Sequence, residues 1–313
     1  MNGIELSEKF YYECGAPMIK SEFPELEGVI AVGIAGAGSE CFGFDDEISR
    51  DHDFEPGFCM FIPGEDVIDS RTEFRLERAY AKLPKTFEGV ERLKLNPVGG
   101  SRHGVIRTAS FYEAKTGTQN GELSVGEWLS IPETYLAEAT NGKIFRDDYG
   151  EFSAIRARLM NMPDDVRNKK LAGNLVLMAQ SGQYNYGRCI GHGETAAAQL
   201  AVGEFVNNTL AAVFRLNNKY MPFYKWSFRA LAQLEKLSEL ASPLEILLTT
   251  GNTDELAQRK QGIMDEISLA VIEELKAQNL TEAKNNDLGV HAYSVNERVK
   301  DPSLRNANIL SAV

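Results

Sequence analysis

Two aspartates, Asp51 and Asp53, stand two positions apart shortly before the apolar run Phe58–Ile62. Alternate side chains of an extended chain point to the same side, so both carboxylates are expected to face one way. Enzymes often hold Mg²⁺ with one or two carboxylates, together with phosphate oxygens and water. The pair therefore predicts a metal site, with Asp51 and Asp53 as metal ligands and as catalytic residues in phosphate chemistry.

A glycine-serine step, Gly38–Ser39, follows the apolar run Val29–Ile34. A turn directly after a strand offers backbone N–H groups to an anion, and a glycine lets the backbone come close to it. We expect Gly38 and Ser39 to hold the terminal phosphates of a bound nucleoside triphosphate. A D-x-D pair alone usually marks a solvated acidic loop; the Gly-Ser step after a strand is what favours a phosphate and metal site.

Length and composition restrict the classes of protein to consider. The chain has 313 residues, 43% of them apolar, and a formal net charge of −12. This length is enough for two domains, and the acidic charge argues against nonspecific binding to nucleic acid. No apolar run approaches the ~20 residues that span a bilayer, and the four cysteines form no C-x-x-C pair. These features predict a soluble, cytoplasmic protein with no membrane partner.

The order of the predicted elements indicates two domains. Before Asn161, strand patterns (Val29–Ile34, Phe58–Ile62, Val105–Tyr112 and a hairpin over 141–152) mix with helical ones. After it, helical periodicity takes over. We therefore predict an α+β fold, in which a small mixed β-sheet domain over residues 1–161 is followed by an all-helical domain over 162–313.

Other phosphate and metal motifs fail on position. A dinucleotide-binding loop needs G-x-G-x-x-G, but Cys41 stands where the third glycine belongs. A P-loop needs a lysine directly before its serine or threonine, but the residue before Ser39 is Gly38. His192 and Glu194 match the start of a zinc-deaminase motif, but that motif needs two later cysteines and none follows Cys189.

The Gly38-Ser39 step followed by Asp51-x-Asp53 resembles the signature of the nucleotidyltransferase superfamily with the DNA polymerase β-type fold. The fuller string from Ala35 to Asp53, A-G-x-G-S-E-x-x-G-x-D-D-x-x-S-x-D-H-D, is similar to a bacterial family described as a domain of unknown function, DUF4037. The resemblance continues in 142–147 and 217–226 and so covers most of the chain. It implies a small mixed sheet, a following helical domain, and nucleotidyl transfer from a nucleoside triphosphate with Mg²⁺.

Active members of that superfamily usually supply a third carboxylate from a later strand. Glu113, at the end of the third predicted strand, is one option, and Asp147, in the predicted hairpin, is another. The spacing favours neither.

The predicted helical domain carries cations and rings that could contact a nucleotide. We expect Lys225 and then Arg188 to contact phosphates, and Tyr224 to stack on a base. The alternative is that the aromatic residues around Trp226 form core and the lysines are solvated. His103, which follows Gly99–Gly100 together with Arg102, either approaches the phosphates or belongs to a plain loop, and the loop is favoured.

These inferences lead to one expected function and one alternative. The expected function is transfer of a nucleoside monophosphate from a nucleoside triphosphate, most simply ATP, to a small-molecule or protein hydroxyl, with pyrophosphate as the leaving group. One or two Mg²⁺ ions are the expected cofactor. The alternative is a nucleotide-binding module that has lost catalysis, and the third carboxylate discriminates between them.

Overall fold

A computed structural model of the chain describes residues 1–47, 54–92 and 103–313. The chain forms two compact units. Unit 1 consists of Met1–Leu123 and Tyr135–Asn161, and unit 2 of Ser124–Thr134 and Met162–Val313. Unit 2 therefore includes residues 124–134, which precede the last segment of unit 1 in the sequence. The predicted α+β class, a small mixed sheet accompanied by a helical part, is confirmed.

The main sheet of unit 1 is short and mixed. Its strands are β1 (Ala31–Ile34), β2 (Cys59–Ile62), β5 (Gly104–Arg107) and β6 (Lys143–Arg146), and a separate ribbon pairs β3 (Thr86–Phe87) with β4 (Val90–Glu91). The spatial order is β5-β2-β1-β6; β1 runs antiparallel to β2 and β6, and β2 runs parallel to β5. All four residues of β1 and of β2 are buried, because helices cover both faces of the sheet.

The α-helices of unit 1 are α1 (Gly3–Phe10), α2 (Ala16–Glu22), α3 (Ser39–Phe42), α4 (Ser70–Ala81), α5 (Thr108–Thr116), most of α7 (Glu133–Thr140) and α8 (Glu151–Met160). A π-helical turn, Tyr11–Gly15, joins α1 to α2 just before Pro17, which has no N–H to donate to a regular helix. On one face of the sheet Phe58 packs against Phe10 and Tyr80; on the other, Phe61 packs against Phe111 and Phe152.

Two predictions for this unit are wrong. The third strand ends at Arg107, and Thr108–Thr116 is a helix, so Glu113 lies on α5 and not at the end of a strand. The predicted strand ran on to Tyr112, but Phe111 and Tyr112 are buried as part of a helix. The predicted hairpin is also absent: β6 pairs with β1, and α8 begins soon after it.

Unit 2 is helical throughout its described residues. Its elements are α6 (Val125–Ser130), the first residues of α7 (Glu133–Thr140), α9 (Asp164–Met178), α10 (Tyr186–Gly191), α11 (Thr195–Leu216), α12 (Tyr224–Leu231), α13 (Ala241–Thr249), α14 (Asp254–Ala277), α15 (Leu288–Asn296) and α16 (Pro302–Asn306). A π-helical segment, Ala179–Asn185, connects α9 to α10. The predicted helices over Glu194–Leu216 and Thr253–Gln278 are confirmed as α11 and α14. Among the residues described, no helix combines the length and the apolar character needed to cross a bilayer.

Candidate functional site

The glycine turn that follows β1 lies at one end of the strands. We call this end of the sheet, where β1 finishes, the front edge. Antiparallel pairing sets Gly33, near the end of β1, beside Cys59, the first residue of β2. Parallel pairing sets Cys59 beside Gly104, the first residue of β5. Lys143, which opens β6, pairs with Ile34 at the same edge. The front edge therefore gathers the end of β1 and the starts of β2, β5 and β6.

Side chains from later in the sequence hold this turn in place. Asn141 accepts a hydrogen bond from Gly36 N at 2.8 Å and donates one to Gly36 O at 2.7 Å. Gly142, whose φ is +72°, donates to Cys41 O at 2.8 Å. The Arg156 guanidinium donates to the carbonyls of Thr140, Asn141 and Gly142. The turn is thus fixed by backbone contacts that span more than a hundred residues of sequence.

Gly38 is buried, and a neighbouring carboxylate explains why a glycine stands there. A Cβ at this position would lie 1.9 Å from Oε1 of Glu40. Glu40 is itself only 6% exposed. Burial, reinforced by the Glu40 charge, raises the pKa of Cys59 to about 12. An anion bound at Gly38 would therefore have a carboxylate beside it and would need a compensating cation.

Ser39 opens α3, directly after the extended backbone of Gly38. It is half-buried, and its carbonyl accepts a hydrogen bond from Phe44 N at 2.9 Å. Asp45, a little further on, accepts from Gly3 N at 2.8 Å through Oδ2, while its Oδ1 is buried without a hydrogen-bond partner among the described residues. The turn, α3 and the start of α1 consequently form one packed corner of the front edge.

The two predicted metal ligands, Asp51 and Asp53, lie outside the described residues. Across 1–47, 54–92 and 103–313, no group of three or more His, Cys, Asp or Glu side chains could hold a metal ion.

Neither option for a third carboxylate comes from a strand at the front edge. Glu113 is exposed on α5 and accepts a hydrogen bond from Gln119 Nε2 at 3.1 Å, although Phe111 of the same helix packs near Gly36. Asp147 follows the last residue of β6, and so lies at the opposite edge of the sheet. Its two oxygens accept from the N–H groups of Gly150 and Ser153, where they help to start α8.

A pocket of about 390 Å³ opens beside the starts of β2 and β5. Its lining combines Glu55, His103, Gly104 and Val105 from the front edge with Arg92 and residues of α4 (Phe74, Glu77, Arg78, Tyr80 and Ala81). His103 is 7% exposed, and its Nδ1 lies 3.0 Å from Oε1 of Glu55. The sequence favoured a plain loop for His103; the structure places a buried imidazole and a carboxylate together in a pocket wall.

The candidate nucleotide contacts of the helical unit lie at its surface. Arg188 is exposed on α10, with its guanidinium 5.1 Å from the centroid of the Tyr184 ring. Tyr224, 76% exposed, opens α12, and Lys225 lies over the buried Trp226 ring at 4.3 Å. Both helices pack against α11. Their proposed contacts with phosphate and base remain predictions.

Unit 2 also buries a cluster of charges that the sequence did not reveal. Arg215, on α11, forms an ion pair with Glu133 at 2.6 Å and donates to Asn174 Oδ1 at 2.5 Å. Lys170, on α9, donates to Leu129 O at 3.1 Å. Burial, together with the Arg215 charge, lowers the pKa of Lys170 to about 8.

Residues 128–227 match the family model described as Domain of unknown function (DUF4037). The match contains two of the stretches that resemble this family, 142–147 and 217–226, and it does not include the Gly-Ser and D-x-D string. No curated protein and no solved structure matches the chain.

The DUF4037 match also contains several residues whose placement is now known. The buried cluster in unit 2, formed by Glu133, Lys170, Asn174 and Arg215, falls within it, as do Arg188, Tyr224 and Lys225. Asn141 and Arg156, which fix the glycine turn of unit 1, fall within it too. Sequence reasoning missed Glu40, Glu55 and Asn141. Glu40 directly follows the Gly38–Ser39 step and Glu55 lies two residues after Asp53, so spacing was the only available signal for these two glutamates. Asn141 meets Gly36 from 105 residues away, and no local signal pointed to it.

Proposed function

We propose that the chain is a Mg²⁺-dependent nucleotidyltransferase that moves a nucleoside monophosphate from a nucleoside triphosphate, with ATP the expected donor, to a hydroxyl group. The observation that carries the proposal is the register of the sheet. It sets the Gly38–Ser39 turn, after β1, at the same edge as the start of β2. Asp51 and Asp53 precede that start by only a few residues of sequence.

The described part of the front edge can accommodate a phosphate group only if a cation binds with it, because a buried carboxylate lies beside Gly38. Asn141 holds the turn through two hydrogen bonds to Gly36, and Arg156 bonds the backbone on either side of Asn141, so the backbone of the turn is preorganised for a ligand. The buried Glu40 carboxylate beside Gly38 would repel a bare phosphate. Asp51 and Asp53 would hold Mg²⁺, which when bound offsets phosphate charge.

A catalytically inactive nucleotide-binding module is the second candidate. It is favoured by the placement of the two options for a third carboxylate. Asp147 is engaged in starting α8 at the opposite edge, and Glu113 is solvent-exposed on a helix. The two candidates share the nucleotide site and differ in turnover alone.

The test measures thermal unfolding with each of ATP, GTP, CTP and UTP, in the presence and absence of Mg²⁺, alongside pyrophosphate release. A ligand at a hundred times its Kd should stabilise the folded chain by about 2.7 kcal/mol. Asp51→Asn and Asp53→Asn should each remove the Mg²⁺-dependent part of the shift. Glu47→Gln, which removes one exposed carboxylate from the same acidic stretch, is the matched control and should keep it.

Pyrophosphate release that Asp53→Asn abolishes supports transfer. A nucleotide-dependent shift without pyrophosphate release, across a panel of hydroxyl acceptors, supports the inactive module. If no triphosphate stabilises the wild-type chain, or if both Asn variants bind as the wild type does, the site is wrongly assigned.

A further inference from the structure

We propose that the pocket beside β5 binds the acceptor and that His103, held by Glu55, removes the proton from the acceptor hydroxyl. This inference rests on the proposed nucleotidyl transfer and supplies its base and its acceptor class. A general base must lie within hydrogen-bond reach of the hydroxyl that it deprotonates, so the pocket wall is where such a base belongs.

The His103–Glu55 pair has the geometry of an oriented base. The imidazole Nδ1 lies 3.0 Å from the Glu55 carboxylate, whose side chain is 18% exposed. A carboxylate that accepts a hydrogen bond from one ring nitrogen fixes the tautomer and makes the other nitrogen, Nε2, the basic one.

The surrounding backbone leaves the ring little freedom. At Gly57 a Cβ would lie 2.5 Å from His103 Nδ1, so the imidazole packs directly against the main chain. Gly104 N donates to Phe58 O at 2.9 Å, and Phe58 N donates to the Tyr80 hydroxyl at 3.1 Å. A glycine under the ring and this pair of bonds fix the imidazole relative to the start of β2.

The sheet places this pair near the glycine turn. Gly104 pairs with Cys59, and Cys59 pairs with Gly33, so β5 and the end of β1 are two strand spacings apart. Two spacings amount to about 10 Å. An acceptor in the pocket can therefore direct a hydroxyl towards a nucleotide held at the turn.

The lining selects the class of acceptor. Phe74, Ala81 and Val105 give the pocket an apolar wall, and its volume of about 390 Å³ is that of a small-molecule site. Its charged groups are Glu55, Glu77, Arg78 and Arg92, and Arg92 also donates to Tyr80 O at 3.2 Å. The two carboxylates and the two guanidinium groups leave these four residues with no net charge, which favours an uncharged ligand over a polycation. The lining fits a small, non-cationic hydroxyl compound with an apolar body, such as a phenol.

The acceptor oxygen forms a bond to the α-phosphorus while the bond from that phosphorus to the bridging oxygen breaks. The hydroxyl proton passes to Nε2 of His103, and pyrophosphate leaves with the electron pair of the broken bond. The imidazolium then returns its proton to solvent.

The test compares phenol with 4-nitrophenol as acceptors at mildly alkaline pH, where the second is largely ionised and needs no base. His103→Gln should slow turnover with phenol by about 100-fold or more and spare turnover with 4-nitrophenol. Glu55→Gln should show the same preference with a smaller loss. His192→Gln, an exposed histidine of unit 2, should change neither rate.

A second variant tests the pocket without touching the base. Ala81 is exposed at its rim, and Ala81→Phe should raise the KM for phenol and leave stabilisation by MgATP intact. The inference is overturned if His103→Gln slows both phenols equally, if it slows neither, or if the wild type binds MgATP and uses neither phenol. Absence of nucleotide binding in the wild type would instead overturn the proposed function.

Discussion

The glycine turn of unit 1 and the charged cluster of unit 2 both remove polar groups from water, but they satisfy them differently. In the turn, Asn141 exchanges two hydrogen bonds with Gly36, and Arg156 reaches three carbonyls. In the cluster, Nε of Arg215 is buried with no hydrogen-bond partner in the described chain, and the pKa of Lys170 falls to about 8.

The difference shows what each region is built to hold. The bonds of the turn run from side chains to backbone, so they fix the path of the main chain at the front edge, where a ligand needs it. The bonds of the cluster run mostly between side chains, and they connect Glu133 to α9 and α11. A buried ion pair of this kind adds little net stability, yet it is costly to break because the remaining charge stays buried.

Removing the carboxylate of the cluster should have the largest effect on stability. Glu133→Ala leaves Arg215 and Lys170 without a compensating charge, and we expect the free energy of unfolding to fall by about 3–5 kcal/mol. Urea denaturation measures this loss.

The double variant Glu133→Leu with Arg215→Met removes both members of the pair. It should recover most of that loss, because apolar side chains replace a buried ion pair at little cost. A double variant as unstable as Glu133→Ala would show that the cluster stabilises unit 2 by more than mutual neutralisation.

The substitution Gly142→Ala, which adds a methyl group beside the turn, tests how much the turn contributes to the free energy of unfolding. The φ of Gly142 is +72°, and a Cβ there would lie 1.9 Å from Ile34 O, at the end of β1. We expect Gly142→Ala to cost about 2–3 kcal/mol, from backbone strain plus the clash with a carbonyl that β1 cannot move.

Gly117 is the matched control for that substitution. Its φ of +75° is similar, and nothing lies within 4 Å of its Cβ position. Gly117→Ala should cost only about 1 kcal/mol in urea denaturation. Equal losses at the two glycines would mean that the β1–β6 contact is not a rigid part of the turn.

The sequence was sufficient for features that rest on local pattern. The buried runs of β1 and β2, the long helices α11 and α14, and the α+β class follow from apolar periodicity. The predicted strand Val105–Tyr112 fails after Arg107, where Thr108–Thr116 forms a helix whose Phe111 packs against Phe61.

The candidate site was predictable only in part, for a different reason. Gly38 was singled out for a ligand, whereas the side chain that occupies its free space is Glu40, two residues away. Asn141 pairs with Gly36 across more than a hundred residues, and Glu55, which precedes β2, meets His103, which precedes β5. Register brings such partners together, and the register of a mixed sheet cannot be read from one strand at a time.

The last prediction concerns Lys170 and the pH dependence of stability. Its pKa is about 8 in the folded chain and 10.5 ordinarily, because burial disfavours the ammonium form. Between these values the unfolded chain binds more protons than the folded chain. The Lys170 contribution to the free energy of unfolding should therefore rise with pH from 8 to 10.5, by up to about 1.4 kcal/mol per pH unit, and level off below pH 8.

Lys170→Met isolates this contribution, since it lacks the titrating group. The free energy of unfolding of the wild type minus that of the variant should increase as the pH is raised through that window, as measured by urea denaturation. A difference in unfolding free energy that does not change with pH would contradict the view that burial disfavours the Lys170 charge. The buried charges of unit 2 would then be compensated as fully as the polar groups of the turn in unit 1, and the two regions would differ only in how far apart in sequence their contacting residues lie.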